Sequence, residues 1–241
     1  MKIKVGYSPN GSNLNENHSG VHLIGVGVFQ VFLGSIIRLV VKGWVLRIGV
    51  DTNQLSGSHG ASNHRNHKWL LENGHGLTPL PVPYGDYIEI TPEIQEIIDV
   101  RGAKLMKKDL LGHIKVSIDR KNSIDEACGN ICGKQHERFR NECIRAQDDG
   151  ARFYILIENT EGIKDLDGIE RWSNPRLHRY NKIRYMHRIG KWQTVSLPPK
   201  PPTSNITLLR AMRTMASKYG IVWVLCSPHE AARRIVELLN Q

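Results

Sequence analysis

A chain of 241 residues can bury a real core, as one large domain or as a domain of ordinary size plus a tail, and needs no disulfides to hold it. Its 33 Lys+Arg against 23 Asp+Glu give a formal charge of +10, which argues for a polyanionic partner, nucleic acid first. Four cysteines without regular spacing exclude a disulfide framework, and Cys128 and Cys132, four apart, suit one face of a helix and reduced thiols in a cytosolic protein better than a CxxC zinc knuckle.

The first 44 residues differ in texture from the rest. A polar start leads into a stretch from Leu23 to Val41 that is apolar apart from Gln30, Ser35 and Arg38. It falls short of the roughly 20 uninterrupted apolar residues that a spanning helix needs, and no small-residue cleavage site follows. A packed or poorly ordered N-terminal extension ranks first, a membrane anchor second and a signal peptide last.

From Val45 to Gln241 short β-rich runs alternate with helical patterns, the signature of an α/β domain. VLRIGVD (45–51) reads as a strand and LSGSHGASNHRNH as a loop, with a short helix near HKWLLEN that ends at Gly74. A strand follows at Tyr87–Ile90. The stretch from Thr91 to Gly112 reads as an insertion or hairpin connection before the strand HIKVSID. Ser123 and Glu126 form a capping box at a helix start, and the next helix, about Gln135 to Asp148, shares Phe139, Cys143 and Ala146 on one face and stops at Gly150. ARFYILIEN is a buried strand ending in Glu158. Residues 173–204 read as a basic, Pro-rich insertion outside the core. A helix from Thr207 to Tyr219, a strand IVWVLC and a last amphipathic helix with a second capping box, Ser227 to Glu230, with Pro at its first position, close the chain.

Three acids fall at strand ends: Asp51, Asp86 and Asp119. Strand alternation puts residues i and i+2 on one side, so Asp119 and Lys121 aim at one point. Two carboxylates there suit a hard divalent ion, because Mg²⁺ takes only one or two protein carboxylates and keeps several waters, and an ammonium next to it can orient or help deprotonate a water. As a bare pattern, D…DxK is weak.

The residues carry more than the spacing does. Gly85-Asp86 followed by Asp119-Arg120-Lys121 and Asp125 resembles the GD…ERKxxxD signature of the XPF-type structure-specific endonuclease domain, a branch of the restriction-endonuclease-like nucleases. IGVDT, LPVPYGDYI, the HERFRNECIRA helix with Arg138-Phe139, YILIEN and the closing GIVWVLCSPHEAARRIVELL stand in similar order and spacing, from about residue 46 to the C-terminus. The resemblance implies a mixed β-sheet flanked by helices and a Mg²⁺- or Mn²⁺-dependent DNA endonuclease acting on branched or flap DNA in repair, recombination or replication. It implies Asp86, Asp119 and Lys121 as catalytic residues and Asp86, Asp119, Asp51 and the Arg120 carbonyl as metal contacts. Asp125, Glu158 and Arg138 take supporting positions around them.

Three departures stand out. Asp119 replaces the usual Glu, Asn53-Gln54 replaces Arg-Glu, and no tandem helix-hairpin-helix module follows, so dimerisation and junction choice are not carried over; a homodimer or a partner protein stays open. Arg176, Arg179, Lys182, Arg184, Arg188 and Lys191, interleaved with Trp172, Tyr180, Tyr185 and Trp192, read as a DNA-contacting arm, cations for phosphates and rings for bases, or else as a solvated loop whose rings pack back on the sheet. His59, His64, His67 and His75 lack a metal-ligand spacing and read as part of a polar loop. Expected with the nuclease are a cytoplasmic setting in a bacterial or phage-infected cell, no small-molecule cofactor and no membrane. The rival reading is a non-catalytic DNA-binding module that keeps the fold.

Overall fold

The computed structural model of the protein describes residues 45–52 and 60–241, together with the backbone of Phe32–Leu33 and Ile36–Ile37. The chain divides into two units, 1–44 and 45–241. In the first, Phe32–Leu33 (β1) pairs antiparallel with Ile36–Ile37 (β2). The remainder of the apolar stretch 23–41, the Asn53-Gln54 departure and His59 lie outside the described residues. Among the described residues no helix is long and apolar enough to cross a membrane.

The second unit is an α/β layer structure built on one mixed sheet. Its strands are Arg47–Asp51 (β3), Gly76–Leu80 (β4), Tyr87–Glu89 (β5), Val116–Lys121 (β6), Arg152–Glu158 (β7) and Val222–Cys226 (β8), in the order β4-β3-β5-β6-β7-β8. β3 and β4 run parallel, β5 is antiparallel to both β3 and β6, and β6, β7 and β8 run parallel. The central strands are rich in Ile, Val, Leu and Tyr and buried on both faces, as strands covered by helices must be.

Alternation sorts these side chains into two cores. On one face Ile88, Phe153, Ile155 and Ile157 pack with Ile94 of Pro92–Arg101 (α2), with Ile124–Cys132 (α3), with His136–Asp148 (α4) and with Asn205–Tyr219 (α6). On the other, Ile48, Val50, Tyr87, Ile118, Tyr154 and Leu156 pack with Leu70 of Gly60–Glu72 (α1) and with Ala231–Leu239 (α7). Each Ile or Leu sealed there contributes roughly 1.5–3 kcal/mol of apolar burial.

Helix starts and stops follow local chemistry. Ser123 accepts from the Glu126 N–H at 3.1 Å, half of the expected box, but the Glu126 carboxylate takes the N–H of Asn122, one residue earlier than Ser123. Leu208, Met212, Met215 and Tyr219 of α6 are buried, and left-handed Gly220 ends the helix.

Four expectations change. LSGSHGASNHRNH is not a loop throughout: α1 already runs from Gly60, because Asn63 and Asn66 bury their amides against the sheet instead of solvating a turn. The Thr91–Gly112 stretch does connect the antiparallel pair β5 and β6, but it carries α2, capped by Thr91 and started by Pro92. Residues 173–204 contain Pro175–Arg188 (α5), capped by Asn174, with Ile183 buried and Trp172 packed into the core just ahead of it. The last helix begins at Ala231: the Ser227 hydroxyl donates to Glu230 at 2.7 Å and no longer caps a backbone N–H, so Pro228 belongs to the preceding turn.

Candidate active site

Asp86 stands directly ahead of β5, and the turn before it requires glycine. Gly85 has φ +74°, and a Cβ there would run into Ser117 Oγ and the Ile118 carbonyl. The Asp86 N–H donates to Ile118 O at 2.7 Å, and the Asp51 N–H donates to Asp86 O at 2.9 Å. The strand register pairs Val50 with Tyr87 and Tyr87 with Ile118; one residue further along, Asp51, Asp86 and Asp119 form a row across β3, β5 and β6. All three are buried.

Asp86, Asp119 and Lys121 line one cleft of about 210 Å³, together with Arg120, Asn122, Glu126, Asn130, Gln135 and Arg138. Lys121 Nζ stands 2.7 Å from Asp119 Oδ2 and donates to Oδ1 at 2.9 Å, so the ammonium grips both carboxylate oxygens. The Phe139 ring of α4 backs the ammonium at 5.4 Å. Asp86 Oδ2 accepts the Arg120 N–H at 2.8 Å, so backbone from β6 holds one acid while its side chains supply the other acid and the amine.

Electrostatics follow from that crowding. Burial, and then the Asp119 carboxylate, push Asp86 up to about 8, against the pull of Lys121 and of the Arg120 N–H. Burial would lower Lys121, but Asp119 and Asp86 more than offset it and hold the amine firmly as an ammonium. Lys121 therefore stands as an ammonium that can orient and donate.

Arg120 points the other way. Its guanidinium donates to Glu158 Oε1 at 2.5 Å and to Asn63 Oδ1, while Glu158 also takes Arg65 at 2.6 Å and Asn66 at 3.0 Å. Glu158 thus lies across the sheet from the cleft, because at the end of β7 it shares the parity of Tyr154 and Leu156. Asp125 also misses the cleft: in the first turn of α3 it faces outward and pairs with Arg176 at 2.8 Å. Arg138 does reach the cleft. Asp51, although in the row, is not part of the cleft lining.

Glu142 was not foreseen. One α4 turn from the buried Phe139, its Oε1 accepts the Gly85 N–H at 3.2 Å, and burial and then Asp119 raise its pKa. An acid beside the apolar face Phe139–Cys143–Ala146 was the available signal. Glu126 was absorbed into the helix-capping reading, and Asn122, Asn130 and Gln135 carried no signal of their own.

The basic residues Arg176, Arg179, Lys182, Arg184 and Arg188 are exposed on α5, with Lys191 just beyond it. Their aromatic neighbours are partly committed within the chain: Lys182 lies over Trp192 and Arg188 over Tyr185. Of the histidines, His75 is buried and accepts the Leu46 N–H, and His67 meets the Tyr87 hydroxyl at 3.2 Å. Cys128, Cys143 and Cys226 are buried free thiols.

Among the described residues no group of three or more His, Cys, Asp or Glu side chains could hold a metal ion. Two buried carboxylates, Asp86 and Asp119, open from adjacent strands on one cleft, which suits an ion that keeps most of its waters.

No family model matches the sequence, and no curated protein matches it significantly. Among solved structures, XPF from Aeropyrum pernix in complex with DNA is similar at a TM-score of 0.42 and 15% identity, over 81% of this chain and 64% of that one. The chain therefore spans just under two thirds of that neighbour.

Proposed function

We propose that the protein is a metal-dependent DNA endonuclease of restriction-endonuclease-like architecture, acting on branched or flap DNA in repair, recombination or replication. The observation that carries this reading is the meeting of Asp86, Asp119 and Lys121 in one buried-walled cleft, reached from two adjacent strands. The formal charge of +10 and the exposed cations of α5 and Lys191 supply the complement to a phosphate backbone.

Asp86 and Asp119 would hold Mg²⁺ or Mn²⁺, which when bound neutralises charge on the scissile phosphate and favours attack by water. The protein's own groups do the rest. The Lys121 ammonium, fixed by Asp119 and Phe139, donates to a non-bridging phosphate oxygen and offsets the charge that builds there. Arg138 at the rim binds the phosphate run leading into the cleft. Water oxygen forms the new bond to phosphorus, the P–O3′ bond breaks, and one fragment keeps a 5′ phosphate. The proton that water releases and the proton that O3′ gains exchange with solvent.

The test is a panel of branched and linear DNA incubated with Mg²⁺. Wild type is expected to cleave, and Asp119→Asn and Lys121→Ala to bind DNA but cleave at least 100-fold more slowly. A wild type inert on every DNA yet binding it salt-sensitively returns the non-catalytic module.

A further inference from the structure

The rings of the basic segment part company in the structure. Trp172 is 4% exposed and packs into the core, and Tyr180 is half-buried. Tyr185 and Trp192 stand out in solvent at 52% and 43%, so they do not pack back on the sheet. Each has a cation over its face: Lys182 Nζ lies 5.5 Å from the centre of the Trp192 ring, and the Arg188 guanidinium carbon 5.4 Å from that of Tyr185. The presentation of Trp192 is built into the backbone. α5 ends through left-handed Gly190, with the Lys191 N–H donating to Met186 O at 2.8 Å. Trp192 follows at φ +54°, the one positive φ outside glycine among the described residues and an outlier for so bulky a side chain. The turn is pinned on both sides, because Trp192 O accepts the Val195 N–H at 2.9 Å and the Gln193 side-chain amide donates to His187 O at 3.0 Å.

The charge around these rings is of one sign. No Asp or Glu stands between Glu170 and Glu230, so the cations of this stretch are not neutralised from within it. A polyanion fits, and the rings decide which one. A duplex keeps its base faces stacked on one another and offers a protein only edges and phosphates, whereas an unpaired strand offers the faces as well. We infer that Tyr185 and Trp192 form a stacking platform for the bases of a single-stranded DNA arm, with Lys182, Arg188 and Lys191 taking its phosphates. At the other end of α5, Arg176 pairs with Asp125 of α3 at 2.8 Å, and α3 brings Glu126 and Asn130 to the cleft. Platform and cleft are thus joined through two helices. An unpaired arm is what separates a branched or flapped DNA from plain duplex, so the platform selects the substrate on which the cleft acts. The inference rests on the DNA-binding half of the reading above and not on cleavage.

Fluorescence anisotropy of the full chain in EDTA tests it, with a labelled oligothymidylate of about 20 nucleotides, long enough for any one site, and a blunt duplex of equal length. Trp192→Ala and Tyr185→Ala are each expected to weaken single-strand binding about 10-fold and duplex binding by less than about 2-fold. Trp192→Phe keeps a ring and is expected to bind the single strand within about 3-fold of wild type, while the quenching of tryptophan emission by oligothymidylate is lost. Lys182→Ala is expected to weaken both probes alike and to lower the salt slope. Single-strand binding at wild-type strength in both alanine variants, or equal losses on the two probes, would overturn the inference and leave the nuclease reading standing. So would rings that seat on phosphatidylserine vesicles while oligothymidylate goes unbound, since that outcome points to a membrane surface. A wild type that cleaves no branched DNA but grips single strands through these rings overturns the nuclease reading and leaves this one.

Discussion

β6 shows two chemistries on its two sides. Toward α3 and α4, Asp119 and Lys121 face Asp86 and Glu142, with Arg138 as a second cation at the cleft and two of the three acids held above their ordinary pKa. Toward α1, Arg120 meets Glu158, Asn63, Arg65 and Asn66 in a network in which each Glu158 oxygen is met. The back side is a paired structural lock. The front side is electrostatically incomplete, and it is kept that way by a rigid backbone whose Arg120 N–H holds Asp86. Buried charge that is fully paired belongs to the frame; buried charge that is under-neutralised marks where something else binds.

The largest effect should come from breaking the back. Glu158→Ala takes the carboxylate from between two guanidiniums and is expected to lower stability by about 3–5 kcal/mol in urea denaturation. An effect below about 1 kcal/mol would remove the lock from the account. Next, Gly85→Ala meets both a positive φ and a backbone wall and should cost about 2–3 kcal/mol while displacing Asp86.

The front should respond with the opposite sign. Asp86 moves from 3.8 to about 8 on folding, so between those values the folded protein keeps a proton that the unfolded chain has lost. Stability therefore falls as pH rises through that window and levels off above it. Asp86→Asn keeps an acceptor for the Arg120 N–H and removes the ionisation, so it should stabilise the protein by on the order of 2 kcal/mol at pH 8.5 and by little at pH 4. Melting curves at the two pH values decide; equal shifts would show that Asp86 ionises freely. Mn²⁺ should raise Tm at pH 8 in wild type and not in Asp119→Asn, as thermal scans with and without EDTA would show.

The smallest effect belongs to the exposed Asp125–Arg176 pair. Asp125→Asn should change stability by less than about 0.5 kcal/mol. Arg176→Ala should reduce the salt slope of DNA binding by about 1, and a slope unchanged by it would take α5 out of the DNA interface.

Much of the frame was legible because it is local. Period-two alternation separated Asp119 and Lys121 from Arg120, and the strands 45–51, 87–90, 152–158 and 222–226 were readable as apolar runs bounded by turn residues. Capping chemistry marked α3, and helical spacing marked the buried faces of α4 and α6. Helices whose burial depends on a distant partner were lost. The first part of α1 looked like a polar loop because its Asn and His residues find their partners 20 to 92 positions away, on Tyr87, Arg120 and Glu158. α5 looked too basic for structure because Ile183 is its one buried side chain.

By itself, then, the sequence determined five of the six strands of the large sheet, all but β4, the side of β6 on which each charge falls and the acids placed at strand ends, since those depend on alternation and turn chemistry within a few residues. Only the tertiary structure decided that Asp86 and Asp119 become neighbours, that Glu142 joins them and that Glu158 stands behind the sheet. Those facts depend on strand order, register and the docking of α4, which are fixed by long-range packing and not by any one stretch of residues.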